Sequence, residues 1–334
     1  MENRIVEINE TTGIENMSRP ILEVKHLTKY YADVNAVDDI SFEVAKGEIV
    51  ALLGPNGAGK TTTIRCITSL SEPDSTNSVI FDGIDLQDNI AKVRHMIGVC
   101  PQELNLYKEC TVMENLQLQG YLSGRDKEDV AVDAKKLIKI IGLEEKIDTF
   151  AKNLSGGMKR KLQIGRALIS SPKIIFLDEP TVGLSPEARI DIWEYIRSLK
   201  QQGISIFLTT HYMEEADTLA DRVLIMDNGK IIASGDPEDL KDRYTGKNQV
   251  QLRSSEIEEV TRLLENEDYD FKQVNPELIL IQGLNGRFPD LFKLLEGRDI
   301  KELTIKKPSL EDVFLEITGT AFEDREDQQM EVIA

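Results

Sequence analysis

The sequence predicts an α/β nucleotide-binding fold followed by a small α+β domain. Three observations carry this expectation. The short apolar run 48–53 ends in Gly54-Pro55-Asn56-Gly57-Ala58-Gly59-Lys60-Thr61, a complete G-x-x-x-x-G-K-[ST] loop. A second buried-strand pattern, 174–177, ends in the carboxylate pair Asp178-Glu179. Beyond Thr245-Gly246 the elements follow the order β-α-β-β-α-β, which is the ferredoxin-like one.

The elements can be justified in chain order. Residues 21–24 and 40–44 read as strands, with Asp33-Val34-Asn35 as the turn between them. The run 48–53 is a buried strand entering the glycine-rich loop, and 61–70 is the helix leaving it. Ile97–Cys100 is a further strand. From Thr111 to about Ile141 the apolar spacing turns helical, through Val112, Leu116, Val130, Leu137 and Ile138. Ser185-Pro186 has the cap and first-turn chemistry of a helix start, and Ile192, Trp193, Ile196 and Leu199 form that helix's apolar face. Residues 204–208 and 222–226 are strands, Asn228-Gly229 is a hairpin turn, and Asp236-Pro237 opens a short helix. In the second domain the strands are 250–252, 269–273, 278–282 and 303–305, and the helices are 257–264 and 288–295. A last amphipathic helix, 309–317, carries Leu310, Val313, Phe314 and Ile317 on one side. The expected division is therefore a disordered arm over 1–19, a nucleotide-binding domain over 20–245, an accessory domain over 246–319 and an acidic tail over 320–334.

Bulk properties exclude several function classes. The 334 residues, 40% hydrophobic and 30% charged, describe an ordinary globular chain with room for two domains. The net charge of −19, from 40 basic and 59 acidic residues, argues against nucleic acid as a partner. Three cysteines at irregular spacing are too few for a disulfide framework or a metal cluster, so a reduced, cytosolic compartment is expected. No apolar run reaches the ~18 residues a membrane span needs, and the polar first residues do not read as a signal peptide.

The chemistry follows from the motifs. Gly54, Gly57 and Gly59 let successive N–H groups point at one anion, and the helix starting near Lys60 adds its positive end. Lys60 is expected on the β- and γ-phosphates, the Thr61 hydroxyl on Mg²⁺, and Thr62 on the α- or β-phosphate. Carboxylates at the end of a buried strand face the crevice where such folds bind ligands. Asp178 would therefore hold Mg²⁺ through water, and Glu179 would act as general base on the attacking water. Leu154-Ser155-Gly156-Gly157-Met158 opens another helix with a hydroxyl and bare amides, a second anion cradle. One chain already has a phosphate loop, so a second cradle makes sense if it closes over the nucleotide of another subunit. A plain serine cap remains the alternative.

In motif order and spacing, residues 21–240 resemble the ATP-hydrolysing subunits of ABC transporters. The resemblance implies an α/β P-loop NTPase of the ABC ATPase type, with a RecA-like core, an antiparallel β subdomain and a helical subdomain at about 103–170. It implies that Tyr31 stacks on adenine, with Tyr30 as its rival. It places Gln102 at Mg²⁺ and the attacking water, and beside the membrane partner. His211 would clasp the γ-phosphate, and Ser155, Gly156 and Gly157 would contact ATP across a dimer seam. ATP and Mg²⁺ are the implied substrate and cofactor. The implied partners are an integral-membrane permease and a second copy of this chain or a related one, at the cytoplasmic face of the cell membrane. Pro308-Ser309-Leu310-Glu311-Asp312-Val313-Phe314-Leu315 is similar to the terminal helix of daunorubicin-resistance-type exporter ATPases. That helix is expected either to pack on its own small domain or to serve a dimer contact. Two positions depart from the family pattern. Met158 stands where glutamine is commonest, and Ser185 stands where this branch usually has aspartate. Ser185 is expected either to weaken coupling between two sites or simply to cap its helix. A non-transport ABC ATPase acting on a soluble machine and an ATP-sensing regulatory module remain the alternatives.

Overall fold

The computed structural model describes residues 19–32, 34–245, 249–282, 284 and 287–319. The expectations for 1–18, Asp33, Gly246 and the tail 320–334 lie outside these residues. From the N-terminal side the chain forms β1 (Leu22–Tyr31), β2 (Val34–Val44), β3 (Ile49–Leu53), α1 (Lys60–Ile67), β4 (Ser78–Phe81), β5 (Ile84–Asp85), α2 (Ile90–Arg94) and β6 (Ile97–Cys100). Three helices follow: α3 (Val112–Leu122), α4 (Lys127–Ile140) and α5 (Gly156–Leu168). The chain then re-enters the sheet through β7 (Ile174–Asp178), α6 (Pro186–Gln201), β8 (Ser205–Thr210), α7 (Met213–Leu219), β9 (Arg222–Asp227), β10 (Lys230–Gly235) and α8 (Pro237–Thr245). The remainder is β11 (Gln249–Ser254), α9 (Ile257–Asn266), β12 (Asp270–Asn275), β13 (Leu278–Gln282), α10 (Phe288–Leu294), β14 (Ile300–Lys306) and α11 (Leu310–Thr318).

The strands form three sheets. The largest has the order β10-β9-β3-β8-β7-β6 and is parallel except for β10. Its inner strands are buried on both faces and alternate between two cores, as a period of two requires. Ile49, Ala51 and Leu53 of β3 face one core, together with Ile175 and Leu177 of β7 and the helices α3–α6. Val50 and Leu52 face the other, with Phe176 and Phe207, toward α1 and the antiparallel sheet β2-β1-β4-β5. There Phe42 stacks on Phe207 with ring centroids 5.2 Å apart. This layering holds the ends of β3, β7 and β8 side by side, with Leu53 paired to Thr210 and Asp178 to Thr209.

Local chemistry accounts for the element starts. Thr111 and Glu114 form a capping box on α3, Ser185 caps α6 ahead of Pro186, and Ser309 with Asp312 caps α11. Asn228 (φ 47°) and Gly229 (φ 80°) form the tight turn between β9 and β10.

The third sheet has the order β12-β13-β11-β14 and is antiparallel throughout, the topology expected from the β-α-β-β-α-β reading. Helices α9 and α10 close one of its faces around Val250, Leu252, Ile279 and Ile281.

The structure adds β4, β5, α2 and α7, which the sequence reading did not name, and departs from that reading in two further places. β1 continues to Tyr31, and Val34 and Asn35 pair with Tyr31 and Tyr30 inside β2, so the turn is narrower than Asp33-Val34-Asn35. The last helix also packs elsewhere than on its own small domain. Leu310, Val313 and Phe314 join the first core beside Ala216, Leu219 and Leu240, and α11 lies on α7 and α8. The small sheet has already buried its apolar face under α9 and α10, whereas α7 and α8 present a matching apolar surface.

Candidate nucleotide site

The glycine-rich loop leaves β3 in a conformation that side chains would prevent. A Cβ on Gly54 would lie 2.3 Å from the Met226 carbonyl oxygen, and one on Gly59 2.1 Å from that of Ala36. Gly57 (φ 77°) and Gly59 (φ 108°) both take left-handed backbone. The Ala58 amide donates to the Pro55 carbonyl at 3.2 Å, which folds the loop over the start of α1. Asn56 and Gly57 form its exposed tip. Thr61 and Thr62 stand in the first turn of α1, where the helix N–H groups are free to meet an anion.

Lys60 lies under the loop, 5% exposed. Its ammonium donates to the carbonyls of Gly54 (2.8 Å) and Pro55 (3.0 Å) and sits 3.2 Å from Glu179 Oε1. Thr61 Oγ1 donates to Asp178 Oδ1 at 3.1 Å, and Thr209 Oγ1 donates to the same oxygen at 2.5 Å. Burial pushes the Asp178 carboxyl up, against these two donors. Burial pushes Glu179 up as well, but His211 and Lys60 outweigh it and hold Glu179 below the usual carboxylate range. His211 Nδ1 is 2.8 Å from Glu179 Oε2, and the His211 amide donates to that oxygen at 3.3 Å. Glu179 also has a left-handed backbone (φ 46°), unusual for a residue other than glycine.

Five of the sequence-predicted residues, Lys60, Thr61, Asp178, Glu179 and His211, thus meet in one hydrogen-bonded cluster. Gln102 is exposed at the end of β6 and lines a cleft of 440 Å³ with Thr61, Pro101, Glu103 and Asp178. Tyr31 and Tyr30 are both about half exposed at the β1–β2 hairpin. Lys29 Nζ lies 5.3 Å from the centre of the Tyr31 ring, and Ala36 on the facing strand abuts the phosphate loop at Gly59. Ser155 caps α5 by accepting from the Met158 amide at 3.3 Å. A Cβ on Gly156 would reach Leu184 at 3.4 Å, and one on Gly157 would reach Ala188 at 3.2 Å. The second cradle therefore stands beside the start of α6, outside the Lys60–Glu179 cluster.

A hydroxyl and a carboxylate form a donor set suited to Mg²⁺. No cluster of three or more His, Cys, Asp or Glu among the described residues could hold a metal by itself. The remaining ligands would be phosphate oxygens and water, which is how Mg²⁺ binds in phosphoryl-transfer sites.

Two buried polar groups at this site escape the sequence reading. Arg160 on α5 is 3% exposed and donates to the backbone around both Gln102 and Glu179. Its signal is a polar pair, Arg160 and Gln163, at i, i+3 on a buried helix face. Glu215 on α7 is fully buried. Thr181 Oγ1 donates to its Oε1 at 2.8 Å and Trp193 Nε1 at 3.0 Å, and the Thr210 hydroxyl also faces the carboxylate. Burial raises its pKa above 4.5 despite these donors. The folded state therefore holds a proton that the unfolded chain releases, and Glu215 costs stability increasingly as pH rises above 4.5. Glu215→Gln is expected to raise stability by about 1–3 kcal/mol near pH ~8, with the gain shrinking toward pH ~5. Thermal melts of both proteins at the two pH values check this, and a gain that does not depend on pH would refute it.

The model of the family described as "ABC transporter" matches residues 37–182, and that described as "ATP-binding protein DrrA1-3-like, C-terminal domain" matches 235–318. The chain is 38% identical over 310 residues to the Nod factor export ATP-binding protein I of Bradyrhizobium diazoefficiens, covering 92% of this chain and 99% of that one. Among solved structures it resembles an ATP-binding subunit of an ABC transporter (33% identity, TM-score 0.60), covering 67% of this chain and 93% of that one. It also resembles the dimeric bacterial ABC transporter cassette MJ0796 (27% identity, TM-score 0.58), covering 64% and 98% respectively.

Proposed function

Because the chain belongs to the ABC transporter ATP-binding family, we propose that it powers an exporter of drugs, lipids or other small molecules. In this reading it binds and hydrolyses ATP as a head-to-tail dimer docked on a separate membrane permease. The observation that carries the reading is the cluster of Lys60, Thr61, Asp178, Glu179 and His211 at the ends of β3, β7 and β8. Similarity to a protein named for export supports the direction of transport, and likeness to a dimeric cassette supports the pairing. No described helix is long and apolar enough to cross a membrane. In this reading the chain attaches to the inner face of the cell membrane through the permease.

The residues divide the chemistry among them. The loop amides from Gly54 to Lys60 hold the phosphates, and Tyr31 stacks on the adenine. Thr61 and Asp178 would hold Mg²⁺, with Gln102 beside them in the cleft. When bound, Mg²⁺ neutralises charge on the β- and γ-phosphate oxygens. A polyphosphate competes with Glu179 for Lys60 and His211, because it carries more charge at the same place. Once Lys60 and His211 turn to the γ-phosphate, the Glu179 carboxylate is free to take a proton from the attacking water. With those two groups turned away, burial is left to push the Glu179 carboxyl up, which makes it a stronger base. Ser155, Gly156 and Gly157 of the second subunit close the site from the other side.

The experiment is a pull-down from detergent-solubilised native membranes, with the Glu179→Gln chain and MgATP as bait. Recovery of a polytopic membrane protein is the expected result. Recovery of soluble partners alone would remove the permease from this reading.

A further inference from the structure

We propose that Arg160 is a positioning residue that ties the two ATP sites of the dimer together. It grips the catalytic loops of one site from the helix whose N-terminus serves the other. The inference rests on the dimer reading above.

Arg160 donates to six acceptors, five of them backbone carbonyls. Nε reaches Pro180 at 2.7 Å, Nη1 reaches Pro101 (2.8 Å), Gln102 (3.2 Å) and Gln163 Oε1 (3.0 Å), and Nη2 reaches Asp178 and Glu179 (2.7 Å each). These carbonyls lie at the ends of β6 and β7. They carry the three side chains expected at the metal, the attacking water and the proton, namely Gln102, Asp178 and Glu179. One guanidinium therefore fixes the backbone of all three. Gln163 extends the grip one turn along α5, through the carbonyls of Pro101 (3.2 Å) and Glu103 (2.7 Å).

The contact at Glu179 has particular weight. Its left-handed backbone is strained, and such strain persists only where neighbours over-determine it. The Glu179 amide is held by Thr209 through its carbonyl and its hydroxyl, each at 3.1 Å, and the Glu179 carbonyl is held by Arg160. Strand β8 and helix α5 thus clamp the residue from opposite sides.

Ser155 begins the same helix that carries Arg160. Arg160 stands five positions after this cap, about 7–8 Å along a rigid axis. When Ser155 to Gly157 engage the nucleotide of the partner site, any tilt of α5 moves the guanidinium and the five carbonyls with it. Occupancy of one site is thereby read at the catalytic loops of the other. Lysine cannot reproduce this, because a single ammonium offers donors from one point rather than from a planar fork.

Kinetics of Arg160→Gln and Arg160→Lys test the role. Arg160→Gln is expected to bind a fluorescent ATP analogue within about twofold of wild type while kcat falls about tenfold or more. Its Hill coefficient for MgATP should drop toward one, and Arg160→Lys should lie between the two in kcat. A kcat within about twofold of wild type with unchanged cooperativity would overturn the proposal. So would parallel losses of binding and kcat with cooperativity intact, which is the signature of simple destabilisation. If Arg160→Gln fails to fold, Gln163→Leu carries the same readouts, with a smaller fall in kcat and cooperativity expected. Wild-type values for both quantities would then count against the proposal. Size measurement of Glu179→Gln in MgATP decides the premise separately. A monomer there removes the two-site reading and Arg160's coupling role with it, whereas a dimer whose Arg160→Gln form stays cooperative removes only the role of Arg160.

Discussion

Glu179→Gln is expected to lower kcat by roughly a thousandfold while MgATP stays bound, since a positioned general base contributes about 10²–10⁴. Glutamine keeps the size and one acceptor oxygen of the side chain, so the contacts with Lys60 and His211 are weakened rather than abolished. It cannot accept a proton from water. It also removes the negative charge that competes with the γ-phosphate for those two groups, so nucleotide affinity should hold or rise. Phosphate release under steady-state conditions reads the first effect, and nucleotide retained through gel filtration reads the second. Turnover within about tenfold of wild type would take the base role away from Glu179.

Gly59→Ala is expected to destroy the phosphate site and to cost about 2–6 kcal/mol of stability. Half of that figure is the left-handed strain of a non-glycine residue and half the overpacking. The added methyl would sit 2.1 Å from the Ala36 carbonyl oxygen and 2.8 Å from Met226 Cε. The methionine tip can move, but the Ala36 backbone belongs to β2 and cannot move without unpairing the hairpin. The loop must open, and the amides that converge on the phosphates diverge. Nucleotide titration and denaturant unfolding of the same protein check both effects. Gly157→Ala provides the contrast, because its methyl meets only Ala188 Cβ at 3.2 Å and needs a shift of tenths of an ångström. An equal loss of stability from the two substitutions would show that the argument from space and backbone angle is wrong.

The sequence is most informative where a motif forces geometry. The glycine-rich loop, the Asp178-Glu179 strand end and the Ser155 cap all lie where their residue types place them, because glycine angles, buried strands and helix caps are local properties. His211 is half legible. Its position after an apolar strand is visible, but the 2.8 Å contact with Glu179 depends on β7 and β8 being neighbours. Arg160 and Glu215 are least legible. A buried polar group is understood only through its partners, and theirs are backbone carbonyls, hydroxyls and an indole far away in the chain. The strands β4 and β5 are too short to show a period of two, and β5 has only two residues. The last helix shows its apolar stripe in the sequence, but not which surface covers it. That depends on the small sheet being already closed by α9 and α10.

The seating of α11 on α7 and α8 also bears on how the chain is made. The helix that completes the first core is the last described element to leave the ribosome, and the whole small sheet is synthesised before it. Until α11 arrives, Ala216, Leu219 and Leu240 have no cover from Leu310, Val313 and Phe314. The nascent ATPase domain therefore carries an apolar surface throughout the synthesis of the small sheet. A messenger truncated after the first domain would release a protein with that surface permanently bare, a ready target for chaperones and for self-association. Loss of α11 is thus expected to make the N-terminal domain prone to self-association.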